Sequence, residues 1–282
     1  MVDTFAVFVH GETAANNNVT YPCIRIPAIT SVPWMDSRLL AFAECRHWAG
    51  DGCVPTSTSG APPNSLGADI RDMCFKSSDN NGATWSELQV IQSCAQQPTV
   101  VAVPPTPASP NGTIILQGVT CSGGGDKEAL GELGHGLGPG RSIQFVSEDA
   151  GTSWSPPTDI TNMIGPAGGS ETGPGTGLRL ADNHPVAPGR ILFIGHHGAY
   201  VEDFVWYSDD GGTTYHTSNS SLLHMDEALL YVDQSSPRKD VVANMRNNHL
   251  TACKCRAESR STDGGATFGP ITFVPQLQSP VC

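Results

Sequence analysis

Ser78-Asp-Asn-Asn-Gly-Ala-Thr-Trp85, Ser147-Glu-Asp-Ala-Gly-Thr-Ser-Trp154, Ser208-Asp-Asp-Gly-Gly-Thr-Thr-Tyr215 and Ser261-Thr-Asp-Gly-Gly-Ala-Thr-Phe268 are copies of one string, S-x-[DN]-x-G-x-[ST]-aromatic. Its chemistry is that of a turn between two strands. The acid accepts backbone N–H groups, the glycine takes positive φ, and the following hydroxyl ties back to the acid. The closing aromatic is placed to pack under the sheet. In the first copy Asn80 replaces the acid. Asparagine tolerates the left-handed region and keeps one acceptor oxygen, so that turn should persist with a weaker tie. The copies recur at roughly 50–70 residues, about one four-stranded sheet with its loops, which is the repeat of a propeller blade. These boxes are structural rather than catalytic.

Working outward, strand-like runs fill the intervals: Leu39–Ala43, Thr113–Gln117, Ile143–Val146, Arg190–Gly195, Ala228–Val232 and Val241–Met245. Helical periodicity is scarce. Ala108–Gly112, Ser122–Gly140 and Gly165–Gly177 read as surface or rim loops. No linker divides the chain, so residues 1–282 are read as a single all-β domain. Glycine and proline, 31 and 22 residues, suit short strands and tight turns. A formal charge of −12 without a basic patch argues against nucleic acid and anionic membrane surfaces as partners, and an anionic ligand would need local arginines.

No apolar run reaches membrane-spanning length, and the opening residues lack the basic and apolar regions of a signal peptide. Sequons stand at Asn18, Asn111 and Asn219, for use only on the secretory route. The nine cysteines form no CxxC zinc pattern. Disulfides of an oxidising lumen and buried free thiols both remain open. Cys282, the last residue, reads as an interrupted chain. His196 and His197 are adjacent on a strand and point to opposite faces, which disfavours a shared metal ion. No metal site is expected.

Three places carry candidate chemistry. Tyr21-Pro-Cys-Ile-Arg-Ile-Pro27 sets Arg25 among apolar strand residues, where a structural ion pair with Glu44 is the bland alternative. Leu39-Leu-Ala-Phe-Ala-Glu-Cys-Arg46 is a buried-type strand that ends in charges, with Asp51 in the loop beyond. Asp226-Glu227 precedes Arg246 by about one strand pair, and the bland reading there is a solvated acidic pair.

The ordered set of [FY]-x-R-I-P, LLAFAE-x-R with a following aspartate, and repeated boxes resembles the sialidase family. Thr172-Gly-Pro-Gly-Thr-Gly-Leu178 and Gly189-Arg-Ile-Leu resemble segments of animal sialidases, and Asn244-Met-Arg246 and Cys253-Lys-Cys-Arg256 resemble the lysosomal-type branch. The likeness runs from about Phe5 to Cys282. It implies a propeller, six-bladed in the family with about four to five blades covered here, and an exo-α-sialidase acting on glycoproteins, gangliosides or oligosaccharides without a cofactor. Sialylated glycans are the implied partners. A lysosomal or secretory location is implied, with a cytoplasmic one as the alternative.

Carried over by motif, Arg25 and Arg246 resemble two members of the triad that holds the substrate carboxylate; guanidinium forks bind a carboxylate bidentately and stay charged. Asp51 resembles the acid/base, Arg46 an accessory rim arginine, and Glu227 the glutamate that assists a tyrosine nucleophile. His196 is assigned to the rim of the glycerol or N-acetyl pocket. A neutral phenol suits an anomeric carbon that already bears a carboxylate, because an anionic nucleophile would meet like charge there. In the family the third arginine and the nucleophilic tyrosine lie beyond the segment matching Cys253–Arg256. None of Tyr21, Tyr200, Tyr207, Tyr215 and Tyr231 matches that motif, so the nucleophile is unassigned and the chain reads as C-terminally incomplete. Two rivals follow: a sialoglycan-binding propeller without turnover, and a purely structural box-repeat protein.

Overall fold

Four sheets, whose main strands meander outward antiparallel in chain order, give a four-blade propeller arrangement. The computed structural model describes residues 6–48, 53, 71–107, 109–120, 140–165, 171–197, 202–247 and 252–279. The first blade comprises Cys23–Ser31, Leu39–Arg46, Arg71–Ser78 and Gln89–Gln92. Ala95–Val103, Thr113–Thr120, Ser142–Ser147 and Thr158–Asp159 build the second. Ile191–His197 and Glu202–Ser208 centre the third, and Asp226–Val232, Val241–Arg246, Cys255–Ser261 and Thr272–Gln278 make the fourth. The first strands of successive blades touch one another, which puts them at the hub. No helix among the described residues is long and apolar enough to cross a membrane.

The core lies between blades, and strand alternation explains why. On Thr113–Thr120, Ile114 and Leu116 point toward the first blade, where they join Leu40, Phe42 and Met73, while Ile115 points toward the third and joins Phe193 and Trp206. On the third blade Leu192 and Ile194 turn the other way, onto Leu230, Val241 and Met245 of the fourth. The second and third sheets are therefore apolar on both faces.

The four boxes form the expected turns. In the third, Asp210 Oδ1 accepts from Ser208 Oγ (2.8 Å) and from Thr214 N (2.9 Å), while Thr214 Oγ1 donates to Oδ2 (2.6 Å). At Asn80 the last bond inverts: Nδ2 donates to Thr84 Oγ1 at 2.9 Å, and Oδ1 still accepts from Thr84 N at 2.8 Å. The closing aromatics pack inward. Trp154 meets Phe42 and Phe75 edge-on, and Tyr215 joins Gln117, Gln144 and Trp206 in a buried network between the second and third blades.

One local expectation is corrected. Gly165–Gly177, read as a rim loop, contains two short hub strands: Glu171–Thr172 pairs with Ile191–His197 of the third blade, and Gly175–Thr176 pairs parallel with Ala95–Val103 of the second. Its glycines suppress strand propensity, but they permit close approach to neighbouring backbone: a Cβ on Gly173 would sit 2.2 Å from the Ala228 carbonyl oxygen. The loop 122–139, Tyr200 and Cys282 lie outside the described residues. Cysteines are bridged as Cys23–Cys53, Cys45–Cys74 and Cys253–Cys255.

Candidate functional site

Every hub strand is interrupted at the same level. Pairing registers slip between Arg25 and Ala28, between Gln96 and Thr99, and between Asp226 and Ala228, and Gly173-Pro174 separates the short strand that joins the third blade from the one that joins the second. Ile26 and Gln97, inside the first two slips, take φ of 54° and 57°. For β-branched Ile26 that is a strained backbone, held by the ladder on both sides. A bulge re-aims the side chains beside it. Here the re-aimed residues include Arg25 on the first blade and Glu227 on the fourth.

Both line a cavity of about 740 Å³, together with Ile26, Pro27, Pro174, Leu229, Asn244 and Arg256. Its walls thus combine apolar residues with two guanidinium groups and one carboxylate. Arg246 stands directly behind Glu227, with Nη1 2.8 Å from Glu227 Oε2 and 3.3 Å from Asp226 Oδ2. Arg256 is fixed by Asn244 Oδ1 and by the carbonyls of Asn244 (3.2 Å) and Glu227 (3.4 Å). Behind this layer Asp226, 1% exposed, lies 3.7 Å from His196 Nδ1. Burial drives the Asp226 pKa up, against the opposing pull of the Glu227 N–H, His196 and Arg246.

The structure brings together Arg25, Glu227 and Arg246 from two blades. Two other assignments are corrected in position. Arg46 is not at the rim: it is 2% exposed and spends Nη2 and Nε on Glu44 Oε2, at 2.8 and 3.1 Å. Glu44 itself is fully buried, accepting also from Arg71 and from the Gln97 N–H, so this pair ties the first blade to the second. A buried charge needs such satisfaction. His196 likewise is 1% exposed, beneath the cavity rather than at its edge, because its strand runs under the hub strand of the fourth blade. Asp51 lies outside the described residues.

Arg256 and Asp203 were not singled out from sequence. Arg256 had a signal in the alternation of Cys255–Ser261, which sends 256, 258 and 260 to one face and the small residues to the other. Asp203 is fully buried, an acid in the apolar run Asp203-Phe-Val-Trp206, which is the one signal it offered.

Fold and cavity together define a box-repeat propeller with an arginine-lined depression at its hub. The chain belongs to the BNR repeat-like domain family, whose pattern matches residues 67–281. It is 29% identical to a sialidase of Micromonospora viridifaciens over 290 residues, spanning 97% of this chain and 40% of that protein. Sialidase-3 of Mus musculus is 27% identical over 165 residues, 51% of this chain and 37% of the relative. The chain therefore spans less than half the length of these curated relatives. Among solved structures, the leech intramolecular trans-sialidase complexed with 2,7-anhydro-Neu5Ac superposes with a TM-score of 0.65 at 15% identity, over 97% of this chain and 53% of that one. The intramolecular trans-sialidase of Ruminococcus gnavus gives 0.66 at 13% identity, over 92% and 72%. At these identities the superpositions show the fold.

Proposed function

We propose that this chain carries the site of an exo-α-sialidase, which removes terminal sialic acids from glycoproteins, gangliosides or oligosaccharides with net retention. The observation that carries the reading is the convergence of Arg25 with Glu227 and Arg256 on one cavity, from blades at opposite ends of the chain, with Arg246 paired to Glu227 behind them. Arg25 and Arg246 take the substrate carboxylate, the apolar wall of Ile26, Pro27 and Leu229 takes the less polar face of the sugar, and Asp51 protonates the leaving oxygen. Glu227, already paired to Arg246, is placed to accept a proton from a nucleophile. Arg46 and His196 act from behind, Arg46 by fixing the Glu44 strand and His196 beside Asp226. The names of the relatives support the reaction class. Lysosomal or secretory residence fits the sulfur bridges and the exposed sequon residues Asn18, Asn111 and Asn219.

One observation favours the sialoglycan-binding alternative. Among the described residues no tyrosine lines the cavity: Tyr21 is bonded to Asp72, Tyr215 to Gln144, Tyr231 to Glu258, and Tyr207 packs on Arg190. A fluorogenic sialoside assay, paired with sialic-acid binding to the unsubstituted chain and to Arg25→Ala, separates the two. Turnover lost in Arg25→Ala supports the enzyme. Binding without turnover, abolished by the same substitution, supports the binding module, and neither turnover nor binding refutes both.

A further inference from the structure

Asp203, on the strand Glu202–Ser208, pairs across the ladder with His196. Its side chain is fully buried, and neither carboxyl oxygen meets a hydrogen-bond donor among the described residues. A carboxylate there has given up water and gained no donor. Burial first, and then the charge of Asp226, push the pKa of Asp203 well above the ordinary carboxylate value; Arg256 opposes the shift and Glu227 adds to it. Four strands supply the groups around it: His196 from its own blade, Asp226 and Glu227 from the hub strand of the fourth, Arg246 bound to both acids, and Arg256 from the strand beyond. Asp226 has the Glu227 N–H at 2.7 Å and Arg246 at 3.3 Å to hold a negative charge. Asp203 has no equivalent, so of the two it is the one that keeps its proton.

We propose that Asp203 is a charge gate for the cavity: with its proton in place the arginines hold an anionic ligand, and loss of that proton sets a negative charge behind them that loosens the ligand. The inference rests on the reading of the cavity as an anion site. At an effective dielectric near 20, a unit charge on the order of 10 Å from any anion changes its affinity roughly ten- to twenty-fold, which sets the scale of the effect. Asp203 thereby acts as a positioning residue for charge and does not touch substrate.

The test is calorimetric titration with sialic acid from about pH 5 to pH 10, on the unsubstituted chain and on Asp203→Asn, which keeps the shape and cannot ionise. Sialic acid stays anionic throughout, and every group other than Asp203 is common to both proteins. Affinity of the unsubstituted chain should fall about ten-fold or more on the alkaline side, while the asparagine variant holds its affinity there. An equal alkaline fall in both, or a flat profile in the unsubstituted chain, overturns the gate and leaves the anion site standing. No binding at any pH overturns both. Should Asp203→Asn not fold, infrared spectra of the unsubstituted chain decide: a buried carboxylic-acid band at neutral pH that vanishes where affinity falls supports the gate, and its absence at neutral pH overturns it.

Discussion

Asp210→Ala and Asp210→Asn form the sharpest test of how the boxes hold. Asp210 Oδ1 accepts from Ser208 Oγ (2.8 Å), Thr213 N (3.0 Å) and Thr214 N (2.9 Å), and Oδ2 accepts from Thr214 Oγ1 (2.6 Å). Four bonds at about 1 kcal/mol net each would give about 4 kcal/mol. The side chain is exposed, so water replaces part of what is lost, and we expect about 2 kcal/mol for alanine. Asparagine should cost only about 0.5 kcal/mol, since it can copy Asn80, whose Nδ2 donates to Thr84 Oγ1 and whose Oδ1 still accepts from Ser78 Oγ and Thr84 N. Although burial raises the Asp210 pKa, the hydrogen bonds from Thr214 and Ser208 outweigh it and hold the carboxyl below its ordinary value. A depressed folded pKa contributes stability that is present above the unfolded value near 4 and lost as pH falls through the folded one. The gap between the unsubstituted chain and Asp210→Asn should therefore close below about pH 4, while the gap to alanine remains. Urea unfolding at neutral pH and near pH 3 reads both. If asparagine costs as much as alanine, or its deficit is unchanged in acid, the account of the box is wrong.

Arg246→Met should destabilise the chain by about 2 kcal/mol at neutral pH, by stranding buried Asp226, and Asp226→Asn in the same chain should restore most of it; a double-mutant cycle by urea unfolding reads the coupling, and simple additivity refutes it. Gly173→Ala should lower the melting temperature by several degrees, because its Cβ would meet the Ala228 carbonyl oxygen at 2.2 Å, and an unchanged melting curve contradicts that close approach. Replacing Cys23 and Cys53 together by serine should lower kcat of a sialoside-cleaving form about ten-fold while sialic-acid affinity stays within about two-fold, because the bridge tethers the segment that carries Asp51; equal losses in kcat and affinity would show a general collapse instead.

Much of the fold was legible because its signals are local. A box turn needs an acceptor, a glycine and a hydroxyl at fixed offsets, so Ser208–Tyr215 declares itself without any knowledge of its surroundings. Arg25 was legible for a different reason: an arginine among Ile24, Ile26 and Pro27 has to answer to something. Arg46 looked the same on paper, yet burial against Glu44 and Arg71 gives it a structural ion pair, and only the register of Leu39–Arg46 on Arg71–Ser78 distinguishes the two cases. His196 escaped because its depth depends on a strand from another blade, about thirty residues on in the chain. Asp203 escaped because one acid at a strand start is ordinary until every donor around it has been counted.

The hub contains a second repeat that the boxes conceal. Arg25-Ile-Pro27, Gln96-Gln-Pro98, Thr172-Gly-Pro174 and Asp226-Glu-Ala228 stand at the four interruptions, with proline third in three of them. Proline cannot donate to a ladder, so the pairing breaks there, and the break turns the preceding residues toward the axis. The boxes at the outer turns fix each blade as a rigid sheet, and the hub breaks then let blades differ in what they present at the axis. Two of the four present charge there, a cation from the first blade and acids from the fourth. Glutamine and threonine at the other two lie in the same ring, where the Gln97 N–H donates to Glu44 Oε1 and Thr172 Oγ1 donates to the Gln97 carbonyl. Among these four segments charge thus varies where the repeat is broken in the ladder but kept in the chain, and the scaffold can remain constant while those residues change.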